Sequence, residues 1–187
     1  MRIISGELGG RRYQGKIPPG VRPTADMVRE SIFNKLSHLI DLDGAIVADI
    51  CAGTGAMGIE SISRGAAKCY FVDKSRKSCD YIKATLEHFS VNKNNYDIIN
   101  KPLEKITHYW KETNSELQFN LIITDPPYIQ KIINDLLCDI VETNLLAPEG
   151  VIVAEYASLG GIILPPELEL IDSRKFGETE VAYIALV

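Results

Sequence analysis

Long apolar runs are missing from this 187-residue chain: no stretch approaches the ~18 consecutive apolar residues of a membrane helix. The opening MRIISGELGG has no apolar core of the kind a signal peptide carries, so a cytoplasmic protein with no membrane partner is expected. Cysteine is scarce. Cys51, Cys69, Cys79 and Cys138 form no CxxC pair and have no histidine at ligand spacing, which argues against a zinc site and for a reducing compartment. The three histidines, His38, His88 and His108, have no acid or serine at a suggestive spacing and read as structural, so no metal is expected. Internal repeats and low-complexity tracts are also absent. With 45% hydrophobic and 24% charged residues, what remains is one ordinary domain that buries enough surface to fold without staples.

Basic charge is in short supply overall, the net charge being −5, which taken alone argues against a polyanionic partner. The average hides a division. Residues 1–40 carry seven Lys or Arg against three Asp or Glu, so a basic lead segment precedes an acidic body. Within that segment residues 6–22 hold too little apolar material for a core of their own. Thr24 is expected to cap a helix with Asp26 in its first turn, and Val28, Ile32, Leu36 and Leu39 form its packing stripe, leaving Arg29 and Lys35 to point elsewhere.

From residue 45 onward, short β-branched runs alternate with longer helical stretches, the pattern of a doubly wound α/β sheet. Strands are predicted at 45–50, 69–73, 96–100, 120–125 and 150–156, nearly all apolar as strands covered on both faces must be. Helices are predicted at 56–64, 75–90, 103–112 and 131–144. LELIDSRKF and EVAYIALV, separated by a short segment with Gly177, are expected to form an antiparallel hairpin at the sheet edge.

Two constellations carry chemistry. After the first strand comes Asp49-Ile-Cys-Ala-Gly53-Thr-Gly55-Ala-Met-Gly58, a glycine turn opening a helix, and Asp73 ends the next strand where a carboxylate can accept both hydroxyl protons of a ribose. A dinucleotide and S-adenosylmethionine both suit this turn. Asp49 separates them: it is an awkward neighbour for a pyrophosphate and a favourable one for sulfonium and ammonium charge. The plainer role for Asp49 is to cap the loop through backbone amides, and for Asp73 to form a turn. The second constellation, Asp125-Pro126-Pro127-Tyr128, follows the fourth strand on the same edge. Its double proline stiffens the loop so that the Asp125 carboxylate and the Pro126 carbonyl can accept the two protons of an aromatic amine, with Tyr128 stacking on the base. Its plainer role is a hard strand stop.

DPPY resembles the [DNS]PP[FYW] motif of methyltransferases that modify base amino groups, and DICAGTGAMGIESISRGA resembles the cofactor segment of the RsmD family. MRIISGELGGRRY, RPTADMVRESIFN and RKFGETEVAYIAL resemble that family's opening blocks and final hairpin, so the similarity spans nearly the whole chain. The resemblance implies a Rossmann-like class I S-adenosylmethionine-dependent methyltransferase fold over residues 1–187, with 1–40 as basic extension and helix and 41–187 as core. It implies methylation of guanine N2 in 16S rRNA, with guanine 966 as the family target, on free rRNA or an assembling small subunit; a monomer is expected. By the same resemblance Asp49, Ala52, Gly53 and Gly55 line the S-adenosylmethionine site, Asp73 and Lys74 flank the ribose, and Asp125, Pro126, Pro127 and Tyr128 surround the target amine. Arg2, Arg11, Arg12, Arg22 and Arg29 become candidates for phosphate contact. One departure stands out. Many relatives in the wider class place an acid after the third strand for the adenine amine, whereas this chain has Asn100-Lys101-Pro102, leaving Asn100, the backbone near Leu103 or another group. Three alternatives stay open: an adenine-N6 methyltransferase on DNA or RNA, a nicotinamide-dependent oxidoreductase, and a non-catalytic RNA-binding protein.

Overall fold

Side chains alternate between two cores along every central strand, and that alternation sets the architecture. In the computed structural model, which describes residues 1–21, 24–126, 130–159 and 161–187, the chain runs α1 (Asp26–Leu36), β1 (Ile46–Ile50), α2 (Ala56–Ser63), β2 (Lys68–Val72), α3 (Arg76–His88), β3 (Tyr96–Ile99), α4 (Ile106–Thr113), β4 (Phe119–Thr124), α5 (Gln130–Glu142), β5 (Leu146–Ala157), β6 (Leu168–Phe176) and β7 (Thr179–Leu186). The seven strands form one sheet in the order β3-β2-β1-β4-β5-β7-β6. β1 to β5 are parallel, and β7 and β6 add the expected antiparallel hairpin. Val47, Phe71, Ile123 and Val153 pack under α1, α2 and α3, while Ala48, Val72, Ile122 and Ile152 face α4 and α5. The sheet is therefore doubly wound, and the order reverses between β1 and β4, where such sheets bind ligands.

The strands fall within a residue or so of the predicted spans except β5, which starts at Leu146. Phe119 pairs with Leu146 and Leu121 with Val151, so the intervening residues, Pro148 among them, bulge out of the ladder. A proline that donates nothing to a ladder reads as loop in a sequence and is tolerated at a bulge in a sheet.

Helix α1 corrects two expectations. Its cap position is Ala25 with no side-chain cap; Thr24 lines a cavity beneath the sheet's carboxyl edge, and its carbonyl accepts a 3.5 Å bond from Arg29. Its buried face is Arg29, Ile32, Phe33 and Leu36, with Val28 and Leu39 only half-buried. Arg29 does not point to solvent. Only 1% exposed, it pairs with Asp26 at 3.0 Å, donates to the Arg2 carbonyl and lies 3.8 Å from Glu60 of α2.

The basic lead segment is an ordered layer. The Ile3 amide donates to the Arg11 carbonyl, the Gly10 amide to the Ile3 carbonyl, and Tyr13 and Met1 exchange bonds, in a small antiparallel loop. Glu60 accepts the Ile4 and Ser5 amides at 2.8 and 3.0 Å, and Ser63 Oγ accepts that of Leu8 at 3.0 Å. Gly6 lies so close to the Ser63 carbonyl that a Cβ would sit 1.7 Å from it, at φ +80°, so only glycine fits there. The segment has no core of its own because it uses the end of α2 as its floor.

Candidate active site

Ile50 pairs with Val72 on one side and Thr124 on the other, so Cys51, Asp73 and Asp125 emerge on adjacent strands at one rim of the sheet. Strands spaced about 4.8 Å apart put Asp125 roughly 10 Å from Asp73 across the glycine turn. The turn is tied down on both sides. Asp49 Oδ2 accepts the Gly58 amide at 2.9 Å, and Asp73 accepts the amides of Gly53 and Ser75, each at 2.8 Å. Asn100 Nδ2 donates to the Asp73 carbonyl at 2.9 Å, which fixes the backbone of that acid. At Gly58 a Cβ would lie 2.3 Å from the Phe71 ring and 2.6 Å from Cys69 Sγ, so this glycine serves the close packing of α2 on β2. Cys51 is a non-glycine residue at φ +63°, and burial lifts its thiol to about 12, far from the reactive range.

Among the described residues two cavities open at this rim. The larger, about 480 Å³, is lined by Gly53, Asp73, Lys74, Leu103, Asp125 and Pro126 among others. The smaller, about 50 Å³, lies deeper and includes Asp49, Ala52, Thr124 and Asp125. Asp125 belongs to both walls, as do Cys51, Gly53 and Val21. Eight of the candidate site residues thus come together: Asp49, Ala52, Gly53, Asp73, Lys74, Leu103, Asp125 and Pro126. Gly55 lines neither cavity and sits at the start of α2 against Ile82 and Phe71; Asn100 acts through Asp73. Pro127, Tyr128 and Arg22 lie outside the described residues.

The electrostatics of the rim are acidic. Desolvation raises Asp49 to about 7, with Asp73 and Asp125 adding repulsion and the Gly58 amide opposing both. Desolvation raises Asp125 to about 6 even though part of its side chain reaches solvent, and no described residue hydrogen-bonds its carboxylate. Clustered carboxylates at this turn suit a cationic ligand better than a pyrophosphate.

Of the candidate phosphate contacts, Arg2 is exposed and pairs with Asp26 at 3.1 Å near the start of α1, and exposed Arg12 bridges to it. Arg11 is bonded to the Phe89 carbonyl at the far end of α3 and stacks over that ring. Arg29 is withdrawn from the set, because its buried guanidinium is held by Asp26 and the Arg2 carbonyl. Sequence reading missed the roof of the site. Pro19, Gly20 and Val21 overhang the larger cavity, and Val21 Cγ1 lies 3.1 Å from where a Cβ on Gly53 would be. A Pro-Pro-Gly turn signals a bend but not what lies below it. Ser78, Ile132 and Glu155 were missed for a similar reason: no local pattern marks a helix or strand residue as facing a cavity. Among the described residues no group of three or more His, Cys, Asp or Glu could hold a metal ion.

Residues 1–185 match the family described as conserved hypothetical protein 95. The YlbH protein of Bacillus subtilis is 35% identical over 185 residues, covering 97% of both chains. Ribosomal RNA small subunit methyltransferase D of Escherichia coli is 31% identical over 169 residues, covering 89% of this chain and 79% of the relative. Among solved structures, the yhhF protein of Escherichia coli superposes with a TM-score of 0.81 at 24% identity, over 100% of this chain and 97% of that one. SMU.776, solved in complex with SAH, superposes with a TM-score of 0.70 at 17% identity, over 84% of this chain and 48% of its own.

Proposed function

This chain belongs to the RsmD family, the one described as conserved hypothetical protein 95, and from that premise we propose that it is an S-adenosylmethionine-dependent rRNA methyltransferase acting on the N2 amine of a guanine in 16S rRNA, guanine 966 by family resemblance. Relatives named ribosomal RNA small subunit methyltransferase D support the rRNA substrate, and the SAH-bound neighbour of the same fold supports the cofactor. The acidic rim and the cavity volume fit that cofactor. On this reading Asp73 accepts the ribose hydroxyls with the lone pairs its two amide bonds leave over, and Asp49 faces the positive charge. When bound, S-adenosylmethionine supplies a methyl group on a sulfonium leaving centre.

The observation that carries the proposal is the Asp125 carboxylate where the two cavities meet, which accepts a hydrogen bond from no described residue. It accepts one proton of the guanine amine while the Pro126 carbonyl accepts the other, which frees the nitrogen lone pair from the ring. Asp125 would also take up the proton that the nitrogen loses once it carries the methyl group. Tyr128 stacks on the captured base. Arg2 and Arg12 contact phosphates beside α1. The protein acts as a single-domain monomer in the cytoplasm.

The test is tritiated-methyl transfer to 16S rRNA and to partly assembled small subunits, with mapping of the labelled base. Asp125→Ala is expected to abolish transfer and keep SAH binding. Label on an adenine N6 instead would move the enzyme to the alternative amine, and stabilisation by NAD with none by SAH would overturn the cofactor assignment.

A further inference from the structure

The cofactor reading leaves open how the adenine end is held, and the larger cavity contains one group without a task. Ser78, in the first turn of α3, is 0% exposed, and its hydroxyl has no hydrogen-bond partner. A buried polar atom left unpaired costs stability, so such atoms are rare and call for a reason. The serine's neighbours do not supply one: its own amide goes to the Ser75 hydroxyl at 3.3 Å, and that serine caps the helix.

The position fits the missing task. On the cofactor reading Asp125, just past β4, marks the methyl-accepting end and Asp73, just past β2, the ribose, so the base lies further along, over the ends of β2 and β3. The acceptors there are few. Asp73 is taken up by two backbone amides and, on that reading, the ribose hydroxyls, Pro102 has no polar side chain, and Asn100 is turned to the Asp73 carbonyl. Glu104 reaches the cavity but is exposed, where water competes for its oxygens.

Resting on the cofactor reading above, we propose that the buried Ser78 hydroxyl accepts the exocyclic amine of the cofactor's adenine, serving as the specificity group at that end of the site. Its orphaned state is then a stability cost carried by the free protein and removed by the ligand.

Calorimetric titration with SAH and with its 6-deamino purine analogue tests this in the wild-type protein, Ser78→Ala and Glu104→Gln. The wild type is expected to favour SAH over the analogue by roughly 3- to 10-fold, the size of one neutral hydrogen bond. Ser78→Ala is expected to lose that preference, binding SAH more weakly and the analogue unchanged, with a melting temperature in the absence of ligand equal to the wild type or higher. Glu104→Gln should keep the preference. Equal preference in Ser78→Ala and wild type, a uniform loss for both ligands with a lowered melting temperature, or loss of preference in Glu104→Gln alone would each overturn the assignment to Ser78 and leave the cofactor reading standing. Failure of the wild type to bind SAH at all would remove both.

Discussion

The carboxylates of Asp49 and Asp125 differ in what protonation does to them, and pH separates their roles. In the proposed function Asp125 works only as an acceptor, and with its pKa raised to about 6 by burial it is ionised above that pH and protonated below it. At saturating cofactor the transfer rate is therefore expected to be flat above about pH 6 and to fall tenfold per pH unit below it; Asp125→Asn should lose this limb along with most of the rate. At limiting cofactor the fall should begin nearer pH 7, where Asp49 takes up its proton and no longer attracts a cation. A limb unmoved by cofactor concentration would exclude Asp49 from the site. That these acids share one rim was legible because each lies at the carboxyl end of a predicted strand. Arg29 was not, since a charge on a helix says nothing of burial, and its partner Glu60 lies 31 positions away on another element.

At the scale of elements, α2 is where the two halves of the molecule are joined: its start carries the glycine turn and its end holds the lead segment. Gly58→Ala is expected to destabilise the protein by about 1–3 kcal/mol through overpacking against Phe71 and Cys69, read as a lower urea midpoint. It should also weaken SAH binding, because the same amide holds Asp49. Arg29→Ala leaves Glu60 with Arg64 and two backbone amides, so it is expected to destabilise by less than the about 3–5 kcal/mol of a buried charge left uncompensated. Its effect on RNA binding should vanish under conditions where the variant is fully folded, whereas loss of affinity in the folded variant would restore Arg29 as a contact. Strand positions could be read because apolar β-branched runs have a period and a length. The β5 bulge at Pro148 could not, because a neighbouring strand's register decided it, and the cap at Ala25 could not, because its side chain makes no capping bond to signal it.

Across the whole molecule, the proposed function makes the free protein carry a buried carboxylate that its ligand relieves. Asp49 is 4% exposed, and its pKa stands at about 7 against an ordinary value of 3.8 in the unfolded chain. Between those two values the folded state binds more protons than the unfolded one, so stability falls as pH rises through that window and the loss is complete above about pH 7. The ligand-free protein is thus expected to melt at a lower temperature at pH 7.5 than at pH 5.5, through this group. A bound cation favours the ionised form and releases the proton, so stabilisation by S-adenosylmethionine should grow over the same interval. Thermal denaturation with and without S-adenosylmethionine at several pH values checks both slopes, and Asp49→Asn should flatten them together. If the ligand-dependent rise were the same at pH 5.5 and 7.5 in the wild type, Asp49 would be a loop cap holding the Gly58 amide and nothing more.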